Sequence, residues 1–136
     1  PISDIYGLRT AVERLLQEEN PIARHKIIAE AVRQGIVSSG LGLYPSSGFS
    51  NTVTAINVPE GVVFRNIFSG MLNEYNIMIA GAFGPLKDKV IRIGHMGENC
   101  REENLYITLK ALDQVLRKLG VPLKAKMHET FSKALG

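Results

Sequence analysis

KVIRIGHMGENC, residues 89–100, is the stretch on which the reading of the fold turns. Val90, Ile91 and Ile93 have the β-branched content of a strand that is at least partly buried, and Arg92 sits in its middle. An arginine cannot lose its charge, so a half-buried one needs an anionic partner. That partner is either a carboxylate of the same chain or one that arrives from outside. A third reading lays the arginine's stem along apolar surface and leaves its head in water.

The flanks extend the reading. Upstream, NIMIAGAFGPLKD (76–88) is a strand leaving into a glycine-rich loop, where Gly81 and Gly84 would let backbone come close to a ligand, although glycine also simply makes turns. Downstream, GENCREENLYITLKALDQVLRKLG (97–120) is a helix, with Leu105, Leu109, Leu112, Val115, Leu116 and Leu119 as its apolar stripe and Gly120 as its stop. Ahead of the loop, VVFRNIFSGMLNEY (62–75) has helical spacing through Val63, Ile67, Met71 and Leu72. NTVTAINVP (51–59) reads as a strand ending in the turn Pro59-Glu60-Gly61, and LGLY (41–44) as a short strand before the loop PSSGFS (45–50).

The first forty residues are helical. ISDIYGLRTAVERLLQEEN carries a stripe of Ile5, Leu8, Val12, Leu15 and Leu16, with Ser3 as the expected N-cap and Arg9 and Glu13 four apart on the other side. Asn20-Pro21 breaks and restarts the chain, Asn as cap and Pro in the first helical position. A second helix follows to Ser38, with Ile28, Ala31, Val32 and Ile36 inward and a stop at Ser39-Gly40. Residues 121–136 read as a short amphipathic helical tail. The order is helix, helix, strand, strand, helix, strand, strand, helix. This is the α+β class: a mostly antiparallel sheet with helices covering one face.

Composition excludes several functions. The 136 residues are 45% hydrophobic and 21% charged with a net charge of +3, as expected for one soluble domain. The densest basic cluster, Arg117, Lys118, Lys124 and Lys126, has no interleaved aromatic rings, so it reads as a solvated face and not a nucleic-acid surface. No apolar run is long enough to span a bilayer and no signal-peptide pattern opens the chain. The single cysteine, Cys100, leaves no internal disulfide and suits a reducing, cytoplasmic setting. Pro1 at the start implies either removal of an initiator methionine or a piece of something longer.

Other candidates for chemistry do not converge by spacing. His25, His95 and His128 are dispersed, and three such histidines with one cysteine make no metal pattern. Cys100 lies near a helix start, where a thiol's pKa can fall, but reads as inert. Ser46, Ser47 and Ser50 belong to a loop without a nucleophile elbow. Neither the P-loop nor the dinucleotide fingerprint occurs. Physics from spacing alone stops at an α+β domain with one notable arginine.

Four stretches carry a resemblance further: PISDIYGL (1–8), SNTVTAINVPEG (50–61), NIMIAGAFGPLKDKVIRIGHMG (76–97) and LKALDQVLRKLG (109–120). In this order they resemble the C-terminal part of class V aminotransferases, pyridoxal-phosphate enzymes of fold type I, most closely the alanine–glyoxylate and serine–pyruvate group. The third stretch is the most specific, and it departs from the family pattern at Ala82 and Asp88, where glycine is usual. The resemblance implies a small C-terminal domain over 39–120, helices over 1–38 linking to a large domain absent from this chain, and a helical tail over 121–136.

It also implies that Arg92 grips the α-carboxylate of the amino acid and of the oxo acid, with Gly81 and Gly84 in the substrate loop. The Schiff-base lysine and the main phosphate-binding turn would lie in the large domain, and neither Lys87 nor Lys89 matches that lysine. The expectation is therefore a homodimeric enzyme using pyridoxal 5'-phosphate, which moves an amino group between alanine or serine and glyoxylate or pyruvate. This chain alone would carry no catalytic residue and bind no cofactor. Three other readings stay open: a ureidoglycine–glyoxylate enzyme, a stand-alone binding module with the small-domain fold, and a small enzyme of another class built on Arg92 and His95.

Overall fold

The structure, a computed structural model, describes residues 1–136. Two helices open it, α1 (Ile2–Gln17) and α2 (Pro21–Ser38). Asn20 caps α2 as expected: its side chain accepts from the Ala23 amide at 3.0 Å, with Pro21 in the first turn. Ser3 is not the cap of α1. It lies inside the helix, which starts one residue earlier and has no side-chain cap bond.

The remaining elements are β1 (Val53–Asn57), α3 (Phe64–Tyr75), β2 (Ala80–Gly81), β3 (Val90–Gly94), α4 (Glu102–Lys118) and α5 (Met127–Leu135). Several expected elements are shorter than the sequence suggested, three of them for a visible local reason. The strand at 41–44 is a single antiparallel bridge between Leu43 and Ile56, because Gly40 at φ +89° bends the chain before it and Pro45 has no amide to donate after it. The strand expected from residue 76 pairs only at Ala80 and Gly81. Asn76 stands in the left-handed conformation at φ 54°, and the Ile77 amide bonds back to the Met71 carbonyl at 3.1 Å, so the first residues after α3 finish the helix instead of starting a strand. The helix expected from residue 97 starts at Glu102, since Gly97 at φ +59° opens a separate 3-10 turn over Gly97–Asn99.

The sheet has three antiparallel strands in the order β1-β3-β2, which puts β3 in the centre. Its register pairs Thr54 with Ile93 and Ile56 with Ile91, and these four side chains are buried. They face a core that also holds Ile36 and Val32 from α2, Ile67 and Met71 from α3, Leu109 and Leu112 from α4, and Phe131 from α5. The opposite face carries the row Ala55, Arg92, Ala80. The architecture is thus α+β with the helices on one face. Helix α2 and the C-terminal α5 pack so closely that a methyl group on Gly35 would lie 2.7 Å from the Met127 carbonyl oxygen.

Helix α1 buries no residue. Its stripe of Ile5, Leu8, Val12, Leu15 and Leu16 is exposed along its length. The junction after it is tied down by charge: the Glu18 carboxylate meets Arg24 at 2.7 Å and Arg101 at 2.8 Å. No helix is long and apolar enough to cross a membrane. In the basic cluster, Arg117 pairs with Asp113 and Lys126 with Glu129, both at 2.7 Å, and Lys118 pairs with Glu74.

Candidate functional site

Arg92 stands in the middle of the central strand, on the face away from the core. Its position follows from alternation: Ile91 and Ile93 turn inward, so the residue between them turns outward. The neighbours in its row, Ala55 and Ala80, are too small to cover it. The Nε–H donates to the Gly81 carbonyl at 2.7 Å, and the guanidinium carbon lies 5.5 Å from the centre of the Phe83 ring. None of the chain's ion pairs involves Arg92. The two buried side-chain atoms without partners belong to Arg24 and His128, so the Arg92 terminal nitrogens are open to solvent. An internal carboxylate is therefore not the answer to the charge.

Arg33 shares part of this pattern, donating to the Ser50 carbonyl at 3.0 Å with its head 5.2 Å from the Phe49 ring. It projects from a helix beside Glu30, however, not from a sheet between two alanines.

The loop before Arg92 uses its two glycines differently. A methyl group at Gly81 would lie 2.9 Å from the Phe64 ring, so this glycine allows a close approach within the fold while its carbonyl holds Arg92. Gly84 has φ +57° and open space around its α-carbon. Asp88, where the resemblance leads to an expectation of glycine, has φ +61°, a conformation glycine adopts freely and Asp tolerates.

The histidines are not brought together with Arg92. His95 continues the inward phase of Ile91 and Ile93 and is fully buried. Its Nδ1 faces the Asn51 carbonyl at 3.1 Å and so carries the proton, leaving Nε2 to accept from the Thr54 hydroxyl at 2.8 Å. Burial, above all, holds its pKa below the usual 6.5. A pair of Arg92 and His95 acting on one substrate is excluded, because the two lie on opposite faces of the sheet. His25 spans the Pro21 carbonyl and the Gly97 amide. His128 is buried edge-on against Tyr106.

Cys100 is buried, and its pKa is raised by that burial, the opposite of an activated thiol. Ser46, Ser47 and Ser50 are exposed, and the Ser50 hydroxyl bonds only locally, to Thr52. No three metal-ligating side chains gather.

A cofactor aldehyde needs a lysine held in a dry, enclosed site. All eight lysines of the chain, Lys87 and Lys89 included, are exposed. None of them therefore has the setting that a lysine holding pyridoxal phosphate requires.

Sequence reasoning passed over Phe83, Phe64 and Thr54. An aromatic residue beside glycines was the available signal for Phe83, since it had no periodic stripe to join. Glu18 was hidden by its place at a helix end. Its carboxyl is held below the ordinary range, chiefly by the hydrogen bond from Arg24.

Arg92 thus stands without a carboxylate partner on the face of a small antiparallel sheet away from the core. Comparison with known proteins gives the class of the chain: its homologues are aminotransferases of the alanine/serine–glyoxylate group, class V, and it matches their C-terminal part. It is 37% identical over 136 residues to an uncharacterized aminotransferase of Methanocaldococcus jannaschii, covering 96% of this chain and 34% of that protein. It is 34% identical over 124 residues to the (S)-ureidoglycine–glyoxylate transaminase of Bacillus subtilis, covering 89% and 30%.

The crystal structure of the B. subtilis ureidoglycine–glyoxylate aminotransferase superposes with a TM-score of 0.90 at 33% identity, over 95% of this chain and 34% of that one. That of pyridoxamine–pyruvate aminotransferase from Mesorhizobium loti gives 0.78 at 28%, over 83% and 30%. No protein-family model matches the chain. The chain spans about a third of the length of the relatives it matches.

Proposed function

We propose that this chain is the carboxylate-binding small domain of a pyridoxal-phosphate aminotransferase, and that Arg92 receives the α-carboxylate of both the amino acid and the oxo acid. The observation that carries the reading is a half-buried arginine whose charge no residue of the chain answers, on a domain whose homologues are aminotransferases. The complete protein moves an amino group between a small amino acid, alanine or serine, and glyoxylate or pyruvate. The aminotransferase homologues imply pyridoxal phosphate in the complete enzyme.

The part of this chain is orientation. With the Arg92 Nε–H already given to Gly81, the two terminal nitrogens offer a carboxylate a parallel pair of hydrogen bonds. Such a grip fixes the substrate's α-carbon relative to the rest of the site. The Schiff-base lysine and the phosphate site belong to a large domain, which α1 approaches with its exposed apolar stripe. The working unit is a cytoplasmic homodimer. A second reading is favoured by the B. subtilis superposition: the amino donor is ureidoglycine, with the same role for Arg92.

The experiment is substitution of Arg92 in the complete enzyme. Losing a charge-assisted pair in a partly desolvated site costs about 2–5 kcal/mol. Arg92→Ala should therefore lower kcat/KM by about two to three orders of magnitude. Arg92→Lys keeps the charge without the fork and should fall in between. Cofactor absorbance should persist in both. An Arg92→Ala enzyme within threefold of its parent for every amino donor would make Arg92 an ordinary structural residue.

A further inference from the structure

Phe83 is the most exposed large hydrophobic residue of the chain, at 84%. It joins neither the core nor the hydrophobic residues packed around it. A benzene ring left in water lacks a packing reason, and the aromatic contact it does make is with the guanidinium of Arg92. The backbone beneath the ring is fixed. The Phe83 carbonyl accepts from the Leu86 amide at 3.3 Å, and the Gly84 carbonyl accepts from Lys87 at 3.1 Å, closing a short 3-10 turn. On the other side, Gly81 is wedged against Phe64.

An arginine head at the end of four rotatable bonds needs two restraints to present one edge reproducibly. The bond from Nε to the Gly81 carbonyl ties one edge but leaves rotation of the plane. A ring whose centre lies 5.5 Å from the guanidinium carbon restricts that rotation. With Nε occupied, the edge formed by the two terminal nitrogens is the one that remains for a ligand.

We propose that Phe83 is a positioning residue for Arg92: together with the Gly81 carbonyl it holds the guanidinium so that a small 2-oxo or 2-amino monocarboxylate docks end-on at the two terminal nitrogens. The proposal rests on the reading of Arg92 given above. Phe83 does not touch the reacting atoms, and its effect passes through the arginine.

The test uses the 15N-labelled 136-residue chain and its Arg92 Nε–H resonance, identified by its disappearance in Arg92→Lys. Because Phe83 is exposed, Phe83→Leu should leave the fold intact. It should shift the Nε–H signal by removing the ring's field and speed its exchange with water. It should weaken pyruvate binding about two- to fivefold, the worth of an exposed cation–π contact. Phe83→Tyr should restore all three. A Phe83→Leu chain with the parent's resonance position, exchange rate and pyruvate affinity would overturn the proposal.

Failure of the underlying reading looks different. Either Arg92→Lys would leave pyruvate binding unchanged, as followed on the backbone amides of residues 80–94, or the parent would bind no pyruvate. The position and exchange of the Nε–H signal would still decide the part played by Phe83.

Discussion

Gly81→Ala tests the support of the site most directly. The added methyl group would sit 2.9 and 3.0 Å from two atoms of the Phe64 ring, where carbon pairs are comfortable near about 3.5–4.0 Å. Either the ring or the strand has to give. The ring is packed at the edge of the core, 6.1 Å from Phe68. The strand is held to β3 through two residues only, so it is the weaker side.

Overpacking of this kind costs about 1–3 kcal/mol. Against it stands the loss of chain entropy in the unfolded state, which favours Ala over Gly by about 0.4–1 kcal/mol where the backbone permits, and Gly81 is not among the residues with positive φ. The net expectation is a loss of about 1–2 kcal/mol. In a Phe64→Leu background the obstruction is gone and the same substitution should be neutral or slightly stabilising. This reversal of sign is the signature. Urea unfolding followed by circular dichroism on the four chains of the cycle gives the coupling, expected at about 1–3 kcal/mol. A cost that is equal in both backgrounds would refute the contact. A Gly81→Ala chain as stable as its parent would refute the packing argument altogether.

Three further outcomes are expected. At Asp88, with φ +61°, Asp88→Val should lose about 1–2 kcal/mol while Asp88→Gly loses none; equal stability of the two variants would contradict the left-handed turn. His95 has a folded-state pKa below 6.5, so its contribution to stability is complete above that value and is lost as the pH falls through the folded value, the unfolded chain taking the proton first; the urea midpoint of the parent should drop more between pH 7.5 and 5.0 than that of His95→Gln, and parallel drops would show that His95 is not responsible. Leu8→Gln with Leu15→Gln, on the exposed stripe of α1, should reduce self-association in sedimentation while changing unfolding stability by less than about 0.5 kcal/mol; unchanged association would mean that this face is not the sticky one.

Much of the fold was legible because burial leaves a period in the sequence. The inward residues of α2 and the stripe of α4 are buried where the spacing put them, apart from Leu119 at the end of α4, which is only partly buried. Strand extents were less legible, because pairing depends on partners that are distant in sequence. LGLY has strand-like composition, yet Gly40 and Pro45 confine it to one bridge. The amides of Asn76 and Ile77 are captured first by the last carbonyls of the preceding helix. Arg92 was visible as a charge in an apolar run. Its partners were not, since a backbone carbonyl has no letter of its own and an exposed ring looks like any other loop residue. The close approach behind Gly81 depends on Phe64, seventeen positions away, and no local pattern encodes it.

The same alternation that builds the core aims the arginine. Ile91, Ile93 and His95 share one phase of β3, and burying them commits Arg92 to the other face. A slip of one residue would bury the guanidinium and expose both isoleucines, so the register is held by hydrophobic burial and the arginine's direction follows from it. Helices α2, α3, α4 and α5 build the core on the other side of the sheet from Arg92. The row of Ala55, Arg92 and Ala80 offers no carboxylate. A fixed positive charge, tied at one edge, flanked by an aromatic ring and unanswered at the remaining edge, is chemically incomplete within this chain. A carboxylate from outside completes it, and a planar, two-pronged ligand does so better than a point charge. On the proposed reading, the anionic group is the feature of the ligand that this domain recognises, and the rest of the substrate is left to whatever faces this side of the sheet.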